Sequence, residues 1–373
     1  MAAGSGFGNL FRVTTWGESH GKGVGVVVDG CPAGLALCEE DIQIYLNRRK
    51  PGTSRFTTPR KEDDCVEILS GVFEGKTTGT PISMVVFNKT QRSKDYSEIA
   101  SYYRPGHADY TYDCKYGFRD YTGGGRSSGR ETIGRVAAGA IAAKLLKEMG
   151  ISVDAYTKSI GPVGISYENF DMDKRFENAV CMPDADAAEK AAAYLDDCMK
   201  AQNSSGGVIE CQIHGVPAGL GEPCFEKLSA NLGKAILSIG AVKGFEIGDG
   251  FAVAESTGLT NNDAFYYNNE GGIEKKTNHA GGILGGISDG SKIVFRAAVK
   301  PTPSIFAEQE TVNKSGDNIT INIKGRHDPV IVPRAVVVVE CMAAITILDA
   351  LLINMSAKLD YVKRFYDKEQ TNL

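Results

Sequence analysis

Short runs rich in β-branched residues, bounded by glycine or polar turns, predict strands at Val24–Val28, Pro81–Phe87, Gly207–Ile213, Lys292–Val299 and Asn318–Ile323. Apolar positions recurring every three to four residues predict helices at Glu39–Asn47, Arg130–Met149, Ala185–Ala201, Glu226–Leu237 and Arg334–Lys363. Ser128-Gly-Arg-Glu131 fits a capping box, so the second of these helices has a defined start just after a glycine-rich run. The most apolar stretch, Ala335–Met355, carries Glu340 and Asp349. A membrane span would be penalised by both charges, so a buried core helix is expected there.

Three pairs of segments recur in the same order. Asp29-Gly-Cys-Pro-Ala-Gly-Leu35 matches His214-Gly-Val-Pro-Ala-Gly-Leu220, and Ile68-Leu-Ser-Gly-Val-Phe-Glu-Gly75 matches Ile283-Leu-Gly-Gly-Ile-Ser-Asp-Gly290. Gly125-Arg126 followed by Arg135 matches Gly325-Arg326 followed by Arg334, each before a long apolar helix. The order predicts a single domain over 1–373 built from two similar halves, roughly 1–150 and 200–360, with a shared core.

Composition narrows the function. With 42% hydrophobic and 23% charged residues the chain reads as globular, and no basic start followed by an apolar run suggests a secretory signal. Nine cysteines without a C-x-x-C pair suggest free thiols in a reducing cytoplasm. A net charge of −5 and the lack of an aromatic-interleaved basic stripe argue against nucleic-acid binding. Charge is nonetheless uneven: residues 48–135 hold ten of the 16 arginines and a local balance of +5. Guanidinium forks fit phosphates and carboxylates, so this concentration points to a small anionic ligand.

Three of the five histidines, His20, His107 and His327, sit in polar, glycine-flanked turns beside Ser, Arg or Asp, where proton exchange near neutral pH is available. Gly17-Glu-Ser-His-Gly21 formally matches a nucleophile elbow, but the following residues read as a strand rather than a helix, which argues against Ser19 as nucleophile. Neither a P-loop nor a Rossmann fingerprint is present. A metal site from His107, Asp109, His327 and Asp328 is conceivable, though nothing fixes its spacing. An anion pocket fits better. Gly123–Ser128 can present N–H groups and hydroxyls at a helix start, with Arg126, Arg130, Arg326 and Lys300 adding charge-assisted bonds. Arg48-Arg-Lys-Pro-Gly-Thr-Ser-Arg55 and Arg60 read as a basic loop for a second anion.

These segments, with Arg104-Pro-Gly-His-Ala-Asp109, Asn278–Gly286, Lys300-Pro-Thr-Pro-Ser304 and Gly325-Arg-His-Asp-Pro329, resemble the signatures of the chorismate synthase family in the family's order along nearly the whole chain. The resemblance implies an α+β fold of antiparallel sheets sandwiching a helical core, and a homotetramer. It implies 1,4-anti-elimination of phosphate from 5-enolpyruvylshikimate 3-phosphate to chorismate, with bound reduced FMN and no net redox change. The expected flavin-reducing system is a separate reductase, so NADPH enters only indirectly. The family suggests His20 as proton donor to the leaving phosphate, His107 as proton partner at flavin N1, and Asp328 as relay at N5. It assigns substrate and its phosphate, or alternatively NADPH, to Ser19, Arg49, Arg55, Arg60, Arg104 and Arg130. It assigns FMN to Arg126, Ser127, Ser128, Gly240, Ala241, Gly285, Lys300, Pro301, Thr302, Pro303, Ser304 and Arg326. Two departures from the family's pattern are Gly240, where Asn is frequent, and Pro303, where Ser is frequent.

Overall fold

The computed structural model describes residues 4–52, 54–58, 63–89, 98–323 and 328–367. Arg60, Arg326 and His327 therefore lie outside the described residues. The first half contains β1 (Gly6–Phe7), β2 (Arg12–Gly17), β3 (Gly23–Asp29), α1 (Glu39–Arg49), β4 (Val66–Ile68), the hairpin β5 (Val72–Phe73) and β6 (Lys76–Thr77), and β7 (Ile82–Phe87). It ends, after α2 (Asp109–Tyr116), in α3 (Thr132–Glu148). The rest contains β8 (Ser152–Ile160), β9 (Val163–Gly164), α4 (Ala185–Lys200), β10 (Gly207–His214), α5 (Leu228–Leu237) and β11 (Val242–Ile247). A projecting arm of α6 (Gly258–Asn261), β12 (Phe265–Tyr267) and β13 (Ile273–Lys275) follows. Then come the hairpin β14 (Ile283–Leu284) and β15 (Ile287–Ser288), β16 (Ile293–Val299), β17 (Gln309–Val312), β18 (Asn318–Ile321), α7 (Val332–Asn354) and α8 (Leu359–Phe365).

Two antiparallel five-stranded sheets, ordered β1-β2-β3-β7-β4 and β11-β16-β10-β8-β9, enclose the helices. α3 lies on β3 and α7 on β8, and the two helices pack on each other. Their approach depends on Gly139: a Cβ there would fall 2.1 Å from the Cβ of Cys341. Burial explains α7. Almost every residue from Val332 to Asp349 is buried, Glu340 included, because Arg48 pairs with its carboxylate at 2.7 and 2.9 Å. The helix is long and apolar enough to cross a membrane, yet 78% of its most apolar window is buried inside the protein, as the charged residues implied. The expected helix Arg334–Lys363 is two: burial ends at Asp349 and the chain breaks over 355–358 into α8. The capping box is also modified. Ser128 Oγ accepts from Arg130 N at 3.3 Å, but the Glu131 carboxylate reaches forward to Arg135 at 2.9 Å rather than back.

The halves share a wiring. In each, two central strands pair antiparallel (β3 with β7, β10 with β16), flanked by β2 and β4 or by β8 and β11. Thr77 Oγ1 donates to Pro32 O (2.7 Å) and accepts from Leu35 N (3.0 Å). Ser288 Oγ donates to Pro217 O (2.6 Å) and accepts from Leu220 N (2.8 Å). Thr77 thus matches Ser288, and the counterpart of Ile283 is Val72, four residues beyond the Ile68 that the glycine spacing suggested. Glycine-rich turns carry too little side-chain information to set that register.

Candidate active site

β2 and β3 are joined by a tight turn in which Gly21 N donates to Glu18 O at 3.1 Å. Ser19 Oγ donates to Gly123 O at 3.2 Å and lies 3.2 Å from His20 Nδ1. Whether the hydroxyl donates to or accepts from the ring follows the imidazole's tautomer. Gly123 has φ +76°, and a Cβ on it would fall 2.1 Å from His20 Nδ1 and Cε1. The glycine run therefore rests directly on the imidazole, a contact that any side chain would break.

The next residue continues the wall: a Cβ on Gly124 would come 4.0 Å from Arg104 Nη2. Arg104 closes its own turn by gripping Asp109 through N (3.0 Å), Nε (2.8 Å) and Nη2 (2.7 Å). Burial alone would push the Asp109 carboxyl up, but the bonds from Arg104 hold it below the ordinary range. The turn delivers His107, whose Nε2 is 2.8 Å from buried Ser304 Oγ, while Lys300 Nζ donates to Gly106 O at 2.6 Å. Lys300 N in turn donates to Ala241 O at 2.9 Å, and Ala241 holds a left-handed φ of +73°. Burial and neighbouring Lys243 push the Lys300 ammonium down. Gly240, Ala241 and Lys300–Ser304 are thus one surface, docked on the His107 turn. Thr302 Oγ1 is buried there without a hydrogen-bond partner.

On the other side, Arg49 is only 2% exposed and places Nη2 2.7 Å from Asp64 Oδ2. Arg130 Nη1 holds the second oxygen of Asp64 at 2.9 Å, and its Nε donates to Asn88 Oδ1 at 2.6 Å. Burial would raise the Asp64 carboxyl, but Arg49 and Arg130 overcome it and keep the group below its ordinary range. Arg334 donates from Nε to Arg49 O (3.0 Å) and from Nη1 to Asp328 Oδ2 (2.5 Å), while Thr58 N donates to Asp328 Oδ1 (2.5 Å).

Some expected ligands sit differently. Arg126 braces β2, donating to Thr15 Oγ1 at 2.7 Å. Ser127 Oγ turns inward to Gly124 O at 2.7 Å. Arg55 faces Asp196 of α4 at 2.8 Å with 62% of its side chain exposed. Gly285 lies in the β14–β15 turn, beside the segment 217–228. Sequence reasoning missed Asp64, Asn88 and the role of Arg334. Asp64 belongs to an acidic run that resembles a solvated surface, and Asn88 follows a strand without any motif, so no local signal marks either.

Residues 11–352 match the family model described as chorismate synthase. The chain is 72% identical over 366 residues to the chorismate synthase of Agathobacter rectalis, covering 98% of this chain and all of the relative. It is 53% identical over 356 residues to that of Cytophaga hutchinsonii, covering 95% and 99% of the two chains. A crystal structure of chorismate synthase superposes with a TM-score of 0.76 at 31% identity over 98% of each chain.

Proposed function

The chain belongs to the chorismate synthase family, and on that premise we propose how its residues divide the reaction. The enzyme is a lyase of the shikimate pathway that eliminates phosphate from 5-enolpyruvylshikimate 3-phosphate to give chorismate, with a reduced-flavin requirement. The reading of the site rests on one observation: the His20 turn rests on the glycine run, the His107 turn is bonded to the Lys300–Ser304 segment, and the glycine run passes beside Arg104 of the His107 turn.

His20 protonates the leaving phosphate, its ring held by Ser19 through Nδ1. Arg130, Arg104 and Arg49 supply the positive field for phosphate and carboxylates, with Arg55 beyond the end of α1; Arg60, assigned the same role, falls outside the described residues. The flavin is FMN, which Gly240, Ala241, Gly285, Lys300, Pro301, Thr302, Pro303 and Ser304 would hold, together with Arg126, Ser127 and Ser128; the assignment of Arg326 falls outside the described residues. The unpartnered Thr302 hydroxyl and the Ser304-bound His107 fit a polar ring system placed against that surface. When bound, the reduced flavin lends electron density that assists departure of phosphate. His107, oriented by Ser304, would hold the proton needed at the flavin's N1. Asp328 would serve the proton that the substrate's C6 loses, beside the flavin's N5; both its oxygens are engaged, by Thr58 N and Arg334, so that role requires one of these bonds to give way. Pro303 contributes no hydroxyl at its position, and Gly240 no amide.

We also propose that the two equivalently wired halves, roughly 1–150 and 200–360 of one domain, descend from a duplication. The assembly is a homotetramer; the exposed Phe251, Leu259, Phe265, Tyr267 and Ile273 on and before the projecting arm favour contact with other copies. The enzyme works in the cytoplasm, where its nine unpaired cysteines stay reduced, and receives its flavin from a separate NADPH-dependent reductase.

The deciding test is anaerobic: purified protein, dithionite-reduced FMN and substrate, following chorismate absorbance and phosphate release. Stoichiometric, flavin-dependent release of both is expected. Folded, flavin-binding protein that yields no product would overturn the reading, and turnover with oxidised FMN plus NADPH alone would remove the separate reductase.

A further inference from the structure

We propose that Asn88 is a positioning residue that sets the His20 turn in register with the anion-holding Arg130. The proposal rests on the reading of His20 as proton donor. Asn88 is the first residue beyond β7, where the strand leaves its sheet beside the β2–β3 turn. Its backbone N donates to Lys22 O at 3.0 Å. Its side-chain amide Nδ2 donates to Glu18 O (3.1 Å) and Gly21 O (2.9 Å), the two ends of the turn that carries Ser19 and His20. Its Oδ1 accepts from Arg130 Nε at 2.6 Å. One planar group thus spends both donor directions on the proton donor's turn and its acceptor on the guanidinium.

The chemistry requires that coupling. The proton must arrive on the phosphate as the phosphate departs, so the distance between imidazole and bound anion matters more than either position alone. Arg130 is anchored from the other side by Asp64, which Arg49 holds in turn. Asn88 transfers that anchoring to the turn at His20. An amide is the side chain suited to this, having two N–H donors and a carbonyl acceptor on one short stem. Asp offers only acceptors when ionised, and Ser or Ala cannot span both ends of the turn.

Asn88→Asp separates the two functions. It keeps an acceptor for Arg130 and opposes the Glu18 and Gly21 carbonyls with a carboxylate, freeing the turn. A displacement of about 1 Å costs on the order of 10²-fold in rate, so kcat is expected to fall roughly 10- to 100-fold, while the Kd for reduced FMN stays within about twofold and KM for substrate rises as the new carboxylate offsets the charge of Arg130. The alkaline limb of the wild-type kcat profile, where a proton donor loses its proton, is expected to move in Asn88→Asp; a merely structural residue leaves that limb in place. Asn88→Ala, lacking the acceptor too, should lower kcat and raise KM together. Wild-type kcat and an unshifted limb in folded Asn88→Asp, with His20→Ala inactive, would overturn the proposal alone. An active His20→Ala would instead overturn the underlying reading of His20. If Asn88→Asp does not fold, Asn88→Ala takes the test: a moved limb with lowered kcat supports the proposal, and wild-type kcat with an unshifted limb overturns it.

Discussion

Replacing Asp64 by Asn removes one charge and almost no volume from a side chain with no solvent exposure. Asp64 sits at a φ of +47°, which Asn tolerates as well as Asp, so the substitution isolates the electrostatics. In the variant the single amide oxygen can serve only one of the two guanidiniums and the NH2 group opposes the other; Arg49 keeps two 3.3 Å bonds, to Gly129 O and Thr132 Oγ1, loses its counter-charge, and its Nε already lacks a partner. Arg130, 12% exposed, keeps Asn88 and some water and suffers less. Leaving a buried guanidinium without its carboxylate costs about 3–5 kcal/mol. At about 2.1 cal/mol/K of unfolding entropy per residue, a chain of 373 residues converts that into a fall in Tm of about 4–6 °C. Calorimetry at pH 7 without flavin and at matched protein concentration measures it. Arg49→Met/Asp64→Asn, which removes the stranded charge, should recover about 2 kcal/mol relative to Asp64→Asn alone. The pH dependence has a definite sign. The folded carboxyl titrates below its unfolded counterpart, so its stabilisation is complete above about pH 4–5 and is lost as pH falls further, through the folded value. The Tm gap between the wild-type protein and Asp64→Asn should therefore narrow on acidification. A change below about 1 °C at pH 7, or a double variant less stable than Asp64→Asn, would refute the reasoning, because the guanidinium would then be satisfied without Asp64.

Three further outcomes are expected. Gly139→Ala should destabilise, although Ala is the better helix former by about 1 kcal/mol, because its Cβ meets Cys341 at 2.1 Å; a raised Tm would mean that α3 and α7 are not in that contact. Ser288→Ala and Thr77→Val each strip a buried N–H and a carbonyl of the same pair of bonds and should cost a similar amount, about 1–3 kcal/mol, measured by urea unfolding; strongly unequal costs would argue against the equivalence of the two hairpins. His107→Ala should lose most turnover yet retain flavin affinity in a fluorescence titration, and unchanged turnover would remove His107 from proton transfer.

The sequence by itself determined the elements whose own residues carry the pattern: the β-branched strands at residues 24–28 and 292–299, the helix after the glycine run, and the burial of the apolar helix around Glu340. It also marked His20, the 123–128 run and His107, each a local arrangement of glycine with a polar residue, and the 300–304 segment, where proline alternates with polar residues, all legible without knowing what lies opposite. Only the tertiary structure decided how those pieces meet. Gly123 is required by the His20 ring more than a hundred residues earlier in the chain, and Gly139 by Cys341 on the facing helix. Asp64 became a counter-ion only when α1 and the residues before α3 brought Arg49 and Arg130 to its two oxygens; along the chain it is one acid among three. Asn88 has no signature because its value lies in direction: a single amide faces a turn and a guanidinium that other strands and helices put in place. Periodicity and local composition are written along the chain, whereas a hydrogen bond or an ion pair depends on where distant backbone happens to be carried, and that is settled by packing.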